Sequence, residues 1–362
     1  MSHLLPILLL ACAEPAPETA AIGRILAEQR KASDVPGLIA GIIRGDRLVA
    51  VEAVGVRKAG DPTPMTSADV VHLGSNTKSM TATMIGTLIE EGKLRWGTTL
   101  EKVFPAEAKE WHPGWRGVTL HQLLTHTASM PADLEFERLA GKTTTEKRRA
   151  ILARGWFKRA PEKKPGSDHV YSNIGYALAG LMAETVTGKS WEDLMHERLF
   201  GPLGMTRTGF GAPGTKGKVD QPWGHILKDG KAVASQDDND LSIGPAGTVH
   251  APLADWAKYV IQHLESERAD TKTKLLLKPE TFRKLHTPVL DDYACGWVRM
   301  PNPGKKSPYL FHNGSNTFWY AEMWLDVDSN VAVLVATNQG GDKATHAVQL
   351  AAMDLIVLAR KK

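Results

Sequence analysis

The segment Gly74-Ser75-Asn76-Thr77-Lys78 sets a serine hydroxyl three residues ahead of a lysine. A serine hydroxyl is a weak nucleophile until a neighbouring base or positive charge activates it. Residues i and i+3 share one face of a helix, so a helical segment would bring Lys78 to Ser75. Helical spacing begins at about residue 78, which puts Ser75 at a helix start. Free backbone N–H groups and the helix dipole there favour a developing oxyanion. Taken alone the pattern is weak: about one Ser-x-x-Lys is expected by chance, and an N-cap serine looks the same. Tyr171-Ser172-Asn173 is a second candidate, in which a phenol oxygen and an amide can face one point. The phenol can relay a proton if a lysine lowers its pKa. The competing reading is a buried tyrosine beside a helix N-cap. His312-Asn313-Gly314 is a third, at the end of the strand-like run Pro308–His312. It precedes Ser315, whose backbone N–H is a candidate second oxyanion donor beside that of Ser75. A lone histidine at such a place is more often structural.

The combination carries more than its parts. Ser75-x-x-Lys78 is the only Ser-x-x-Lys in the chain and Tyr171-x-Asn173 the only Tyr-x-Asn, and the three segments occur in order. With these motifs the sequence resembles the serine β-lactamase-like superfamily. That superfamily includes class C β-lactamases, D-alanyl-D-alanine carboxypeptidases, D-aminopeptidases and β-lactamase-like esterases. Further matching stretches are Leu123–Pro131, Phe200–Met205, Gly244–Val249 followed by Asp255, and Ala336-Thr337-Asn338. The resemblance covers most of residues 18–360. It implies that Ser75 forms an acyl-enzyme, that Lys78 takes or holds the serine proton, and that Tyr171 acts as base and then as acid for the leaving group. It further implies that Asn173 orients the substrate and Lys78, that His312 and Gly314 occupy the third motif, and that the N–H groups of Ser75 and Ser315 form the oxyanion hole.

The third motif departs from the Lys-Thr-Gly typical of class C β-lactamases. Lysine there offers a permanent charge to a substrate carboxylate, whereas histidine is mostly neutral near pH 7. The resemblance is therefore closer to the esterase and peptidase branches, where His-x-Gly occurs. Hydrolysis of an ester or a D-amino-acid amide or peptide is expected over efficient β-lactam hydrolysis, along with an acidic limb of activity involving His312. The alternative is a catalytically silent module that holds cell-wall material or a peptide.

The elements that must position these residues fall into two groups. Residues 18–32 read as a helix, and 37–44 and 47–55 as strands joined by a turn at Gly45-Asp46. Residues 318–326 and 330–337 read as another strand pair, followed by a helix over about 344–360. Between them, 78–91, 119–124, 172–187, 190–200 and 252–267 carry helical spacing with few strand signals. The expected fold is α+β, an α/β sandwich. Its antiparallel sheet is flanked by N- and C-terminal helices and interrupted by a helical insertion. The sheet part takes about 18–72 and 288–362, and the helical part about 73–287.

The chain has 362 residues, 42% of them hydrophobic, and a formal net charge of +4, too mild a balance to argue for nucleic acid. One stretch is more basic: Lys142, Lys147, Arg148, Arg149, Arg154, Lys158, Arg159, Lys163 and Lys164. It reads as a solvated face or, more sharply, as an anion-attracting patch. Cys12 and Cys295 are the only cysteines, and Cys295 sits in the strand-like, apolar run Tyr293–Trp297. Residues 1–17 read as an export leader and tether. Leu9-Leu10-Ala11-Cys12 is similar to the box before a lipid-modified cysteine, so an exported protein, periplasmic or membrane-anchored through Cys12, is expected. No cofactor or metal is expected. His121 and His126 are five apart and lack a zinc-helix pattern. Gly188-Lys189-Ser190 follows helical spacing rather than the strand a phosphate loop requires, and Gly188 reads as a helix stop.

Overall fold

The computed structural model describes residues 17–132, 143–268 and 270–361. The leader with Cys12, and Lys142, lie outside the described residues. The first helix, α1, spans Pro17–Ser33, and the first hairpin pairs β1, Gly37–Arg44, with β2, Arg47–Gly55. Its turn falls at Gly45-Asp46, with Gly45 at a φ of 58°. Near the other end come β8, Val298–Met300, β9, Tyr309–Ser315, β10, Tyr320–Asp326, and β11, Val331–Thr337, before a last helix, Asp342–Arg360. These strands form one antiparallel sheet in the order β2-β1-β11-β10-β9-β8. The first and last thirds of the chain thus meet at the β1–β11 pair, where Gly41 stands opposite Leu334. The fold is α+β, as the resemblance implies.

The near-continuous apolar runs of the central strands follow from burial on both faces. Side chains alternate across a strand. Leu38, Ala40 and Ile42 of β1 and Val331, Val333 and Val335 of β11 pack on the layer made by α1 and the C-terminal helix. Ile39 and Ile43, with Ala332, Leu334 and Ala336, pack on the opposite side against the helix-rich middle of the chain. The C-terminal helix meets the sheet through Ala344, Ala347, Ala351, Ala352 and Ala359, whose small side chains let it lie close.

The middle contains helix α2, Thr77–Glu90, helix α3, Asn173–Thr187, and helix α4, Leu253–Ser266, near the expected bounds. The C-terminal helix is accordingly α5. Gly188 ends α3 in the left-handed region, at a φ of 72°. The segment 190–200 begins as helix at Trp191–Met195 and widens to a π-helical turn at His196–Phe200. The middle also has strands that helical spacing does not predict. β3, Val70–His72, and β4, Gly209–Phe210, flank β7, Val249–Pro252, in a small sheet. β5, Gly224–Lys228, and β6, Lys231–Ser235, form a hairpin. The hairpin had a readable signal in Asp229-Gly230, both at positive φ, as a tight primed turn requires. The short strands of the small sheet had none, because two to four residues show no period.

Two local expectations are corrected. Tyr293–Trp297 is a turn rather than a strand, with Tyr293 in isolated bridges to Leu290 and Val298. Gly296 causes this: at a φ of 77° it lies against the backbone of Lys78 and Ser79, where a side chain would overlap the Ser79 amide. Cys295 beside it is fully buried, and burial pushes its thiol up to about 12, so it belongs to the core. The basic stretch is not a uniform patch. Arg148 is completely buried, bonded to Glu184 at 2.6 Å and Glu192 at 2.9 Å. Lys147 pairs with Asp240 at 2.9 Å and Arg149 with Glu107 at 2.5 Å. These three charges brace neighbouring segments, while Lys158, Arg159, Lys163 and Lys164 are exposed, as a solvated face would be.

Candidate active site

Ser75 lies in a short 3-10 turn, Gly74–Asn76, that leads directly into α2. The turn is held from three sides. Thr77 Oγ1 donates to Gly74 O at 2.7 Å and accepts from Val249 N–H at 3.1 Å. Leu73 N–H donates to Val249 O at 2.9 Å, and the Asn76 amide donates to Leu73 O at 2.8 Å and Ala321 O at 3.2 Å. The nucleophile candidate is therefore seated on both the small sheet and the large one. No side chain caps the helix start, so Ser75 is not spent as an N-cap.

Lys78, the second residue of α2 and one turn after Ser75, is fully buried. Its Nζ donates to Ser75 Oγ at 3.0 Å, to Asn173 Oδ1 at 2.7 Å and to the carbonyl of Ala246 at 2.8 Å. It also lies 4.7 Å from the centre of the Tyr171 ring. Ser75, Lys78, Tyr171 and Asn173 are thus brought together, although Lys78 and Asn173 are 95 residues apart in the chain. Tyr171 is 39% exposed, which disposes of the buried-tyrosine alternative, while Ser172 beside it does cap α3 by accepting from Gly175 N–H at 3.0 Å.

Gly314 shows why the third motif needs glycine. A Cβ at Gly314 would overlap Leu73 O and Ser75 N, and one at Gly74, whose φ is 52°, would fall 2.5 Å from Gly314 C. The two backbones therefore touch, bringing Ser315 on β9 next to the Ser75 turn. Ser315 is exposed and Ser75 half-buried. His312 is turned away from solvent, 2% exposed. Its Nδ1–H donates to Asn313 O at 2.5 Å, and its Nε2 accepts from the Tyr293 hydroxyl at 3.1 Å. Burial, then the charge of Lys78, pushes the imidazole down to about 3, against a weaker opposing effect of the Asn313 carbonyl.

That shift runs against an acidic limb set by His312, because burial beside Lys78 favours the neutral imidazole. Burial also holds His126 and His263 well below 6.5. The unfolded chain takes up protons on these three near 6.5, and the folded chain does not. Their contribution to stability is therefore full above about 6.5 and is lost as pH falls toward the lowered folded values. We expect Tm to fall on acidification from pH 7 to 4.5, while the pH profile of activity keeps its acid side in His312→Gln. A profile whose acid side moves in that variant would contradict the neutral His312.

Several contributors lie outside the three motifs, some of them in the further matching stretches Leu123–Pro131 and Gly244–Val249. Ala246 contributes only a carbonyl, and Thr81 Oγ1 anchors its neighbour by donating to Pro245 O at 2.8 Å. Gly180 leaves room for Pro245, whose Cβ would be 3.0 Å from an added side chain. His126 accepts from Ser172 N–H through Nδ1 at 3.1 Å and lies 4.3 Å from Tyr171, ring centre to ring centre. It supports the Tyr171–Asn173 segment. His121 instead packs edge-on against Trp96. Among the described residues there is no cluster of metal-binding side chains, and no helix is long and apolar enough to cross a membrane.

The family model described as Beta-lactamase matches residues 22–358. The chain belongs to the beta-lactamase family. Penicillin-binding protein 4 of Amycolatopsis lactamdurans is 28% identical over 300 residues, covering 80% of this chain and 77% of that protein. Protein flp of Staphylococcus aureus (strain N315) is 23% identical over 335 residues, which is 91% of this chain, and the chain spans 64% of the length of flp. Among solved structures, the octameric penicillin-binding protein homologue from Pyrococcus abyssi aligns with a TM-score of 0.78 at 25% identity, covering 94% of this chain and 78% of that one. SurE aligns with a TM-score of 0.75 at 23% identity, over 94% of this chain and 76% of its own, a likeness of fold. The beta-lactamase family consists in general of serine hydrolases.

Proposed function

We propose that this beta-lactamase family member is a serine hydrolase that works through an acyl-enzyme on an ester or a D-amino-acid amide or peptide. The observation that carries the reading is Lys78 Nζ at 3.0 Å from Ser75 Oγ, with contacts also to Asn173 Oδ1 and Ala246 O. An amide oxygen and a backbone carbonyl are acceptors only. As a free amine, Lys78 retains two N–H bonds for them and turns its lone pair to the Ser75 hydroxyl. Ser75 Oγ then attacks the substrate carbonyl as its proton passes to Lys78. The new oxyanion is met by the N–H groups of Ser75 and Ser315. Tyr171 passes the proton to the leaving alcohol or amine as the tetrahedral intermediate collapses. Water, deprotonated by the same groups, then attacks the acyl carbonyl and releases Ser75.

A neutral His312 supports a substrate without a carboxylate at the third motif and weighs against efficient β-lactam hydrolysis. SurE, a relative in fold, has been solved with D-Leu, which recommends D-amino-acid amides for the substrate panel. The test is labelling by a fluorophosphonate followed by peptide mapping, with turnover of a short acyl ester, a D-amino-acid amide, a D-Ala-D-Ala peptide and a cephalosporin. The adduct is expected on Ser75 and absent from Ser75→Ala, with ester or D-amide turned over fastest. Labelling and turnover that survive in Ser75→Ala would sink the assignment.

A further inference from the structure

Behind the two oxyanion amides lies a buried polar network that the proposed chemistry does not use directly. Gly74 N–H donates to His72 Nδ1 at 3.1 Å. Since Nδ1 accepts, the ring proton of neutral His72 sits on Nε2, which faces Asp238 Oδ2 at 3.0 Å. The other carboxylate oxygen, Oδ1, accepts from the side-chain amide of Asn316 at 2.7 Å and from Asn239 N–H at 2.7 Å. Asn239 continues the link, its amide donating to Gly247 O at 3.0 Å. His72 is fully buried and Asn316 is 4% exposed.

The connectivity gives this carboxylate its meaning. One oxygen reaches, through His72, the residue before Ser75, and the other reaches the residue after Ser315. The two peptide segments that bring the oxyanion amides together come from separate sheets, β3 leading to the Ser75 turn and β9 carrying Ser315. Glycines at 74 and 314 allow the approach but do not fix its distance. We propose that Asp238 and His72 are positioning residues that set the spacing and tilt of the two oxyanion amides. The inference rests on the reading of Ser75 and Ser315 as the reacting centre.

The chemistry of the clamp makes its parts separable. In Asp238→Asn an amide N–H in place of Oδ2 would face His72 Nε2, which must then become an acceptor. The ring proton moves to Nδ1, where it opposes the Gly74 N–H, the same tautomer logic that makes an aspartate behind a catalytic histidine irreplaceable by asparagine. In His72→Asn, Oδ1 stands the same number of bonds from Cα as Nδ1 and can keep the Gly74 bond. His72→Leu keeps the bulk and loses both bonds.

The readouts are kcat, KM and the affinity of an alkylboronic acid, whose tetrahedral adduct places an oxygen between the oxyanion donors. Asp238→Asn and His72→Leu are expected to lower kcat and weaken boronate binding about 10- to 100-fold, less than outright loss of an oxyanion donor. KM is expected to stay within about threefold, because the loss is confined to the transition state. His72→Asn, which can keep the Gly74 bond but is one bond too short to reach Asp238, is expected to fall between the parent and His72→Leu. The inference is overturned if Asp238→Asn or His72→Leu retains full kcat and boronate affinity, or if His72→Asn matches the parent in both. Should Asp238→Asn not fold, the two His72 variants carry the same decision. A parent protein that is not labelled at Ser75 would instead bring down the function reading, a distinguishable failure.

Discussion

Lys78→Met is expected to reduce turnover of the best ester or D-amide by about 10⁴-fold, in line with removal of a residue that activates a serine nucleophile. Methionine has nearly the length of lysine and suits a fully buried site, so the volume is kept. What disappears is the nitrogen that touches Ser75 Oγ, Asn173 Oδ1 and Ala246 O together. Fluorophosphonate labelling at Ser75 should slow by a comparable factor, since the acylation step itself is affected. The variant also leaves two acceptors without this donor, with an expected loss of about 1–3 kcal/mol in stability for each buried acceptor left unsatisfied. Lys78→Arg should not rescue, because the planar guanidinium cannot present one nitrogen to three converging acceptors. Stopped-flow labelling, with circular dichroism to establish folding, decides the matter. A folded Lys78→Met protein labelled within tenfold of the parent rate would remove Lys78 from its proposed role.

Gly314→Ala is expected to be nearly as severe, for a reason of space rather than charge. The added methyl would overlap Leu73 O and Ser75 N, which are backbone atoms of a turn held from three sides. Backbone cannot rotate away as a side chain can, so β9 and the Ser75 turn must separate. Moving one oxyanion donor out of place should reduce kcat about 10²- to 10³-fold. The lost packing should lower stability by about 1–3 kcal/mol, as overpacking does. Gly155→Ala is the control, since an added methyl there meets nothing within 4 Å. Thermal melts and kcat on the same preparations separate the two effects. A Gly314→Ala protein with parental kcat would mean that the close approach of the two backbones is not needed for turnover.

The asymmetry between legible and illegible parts of this protein follows the range of the interactions. Long elements advertise themselves by period: β1 and β2 lie at 37–44 and 47–55 because eight or nine consecutive residues pair along their length, β1 buried between its neighbours and β2 at the sheet edge. α1 and α5 are similarly evident. The strands of the small sheet have two to four residues each and owe their conformation to one another, so no local pattern marks them. The basic run shows the opposite failure. Its residue types suggested an exposed face, but Arg148 found Glu184 and Glu192, thirty-six and forty-four residues away, and was buried with them.

The same division runs through the candidate site. Residue type and spacing offered Ser75, Lys78, Tyr171, Asn173, His312, Gly314 and Ser315 as candidates, each motif weak by itself, and their combination, through the resemblance to the serine β-lactamase-like superfamily, gave them their expected roles. Only the tertiary structure decided that Ala246 supplies a carbonyl to Lys78, that His126 backs Tyr171, that Tyr293 bonds His312, and that His72 and Asp238 link Gly74 to Asn316. A carbonyl is carried by every residue and so has no signature in the sequence. A histidine or aspartate reveals its role only through the partner that folding brings to it. The neutral state of His312 was decided in the same way: the side chain permits either charge, and burial beside Lys78 selects one.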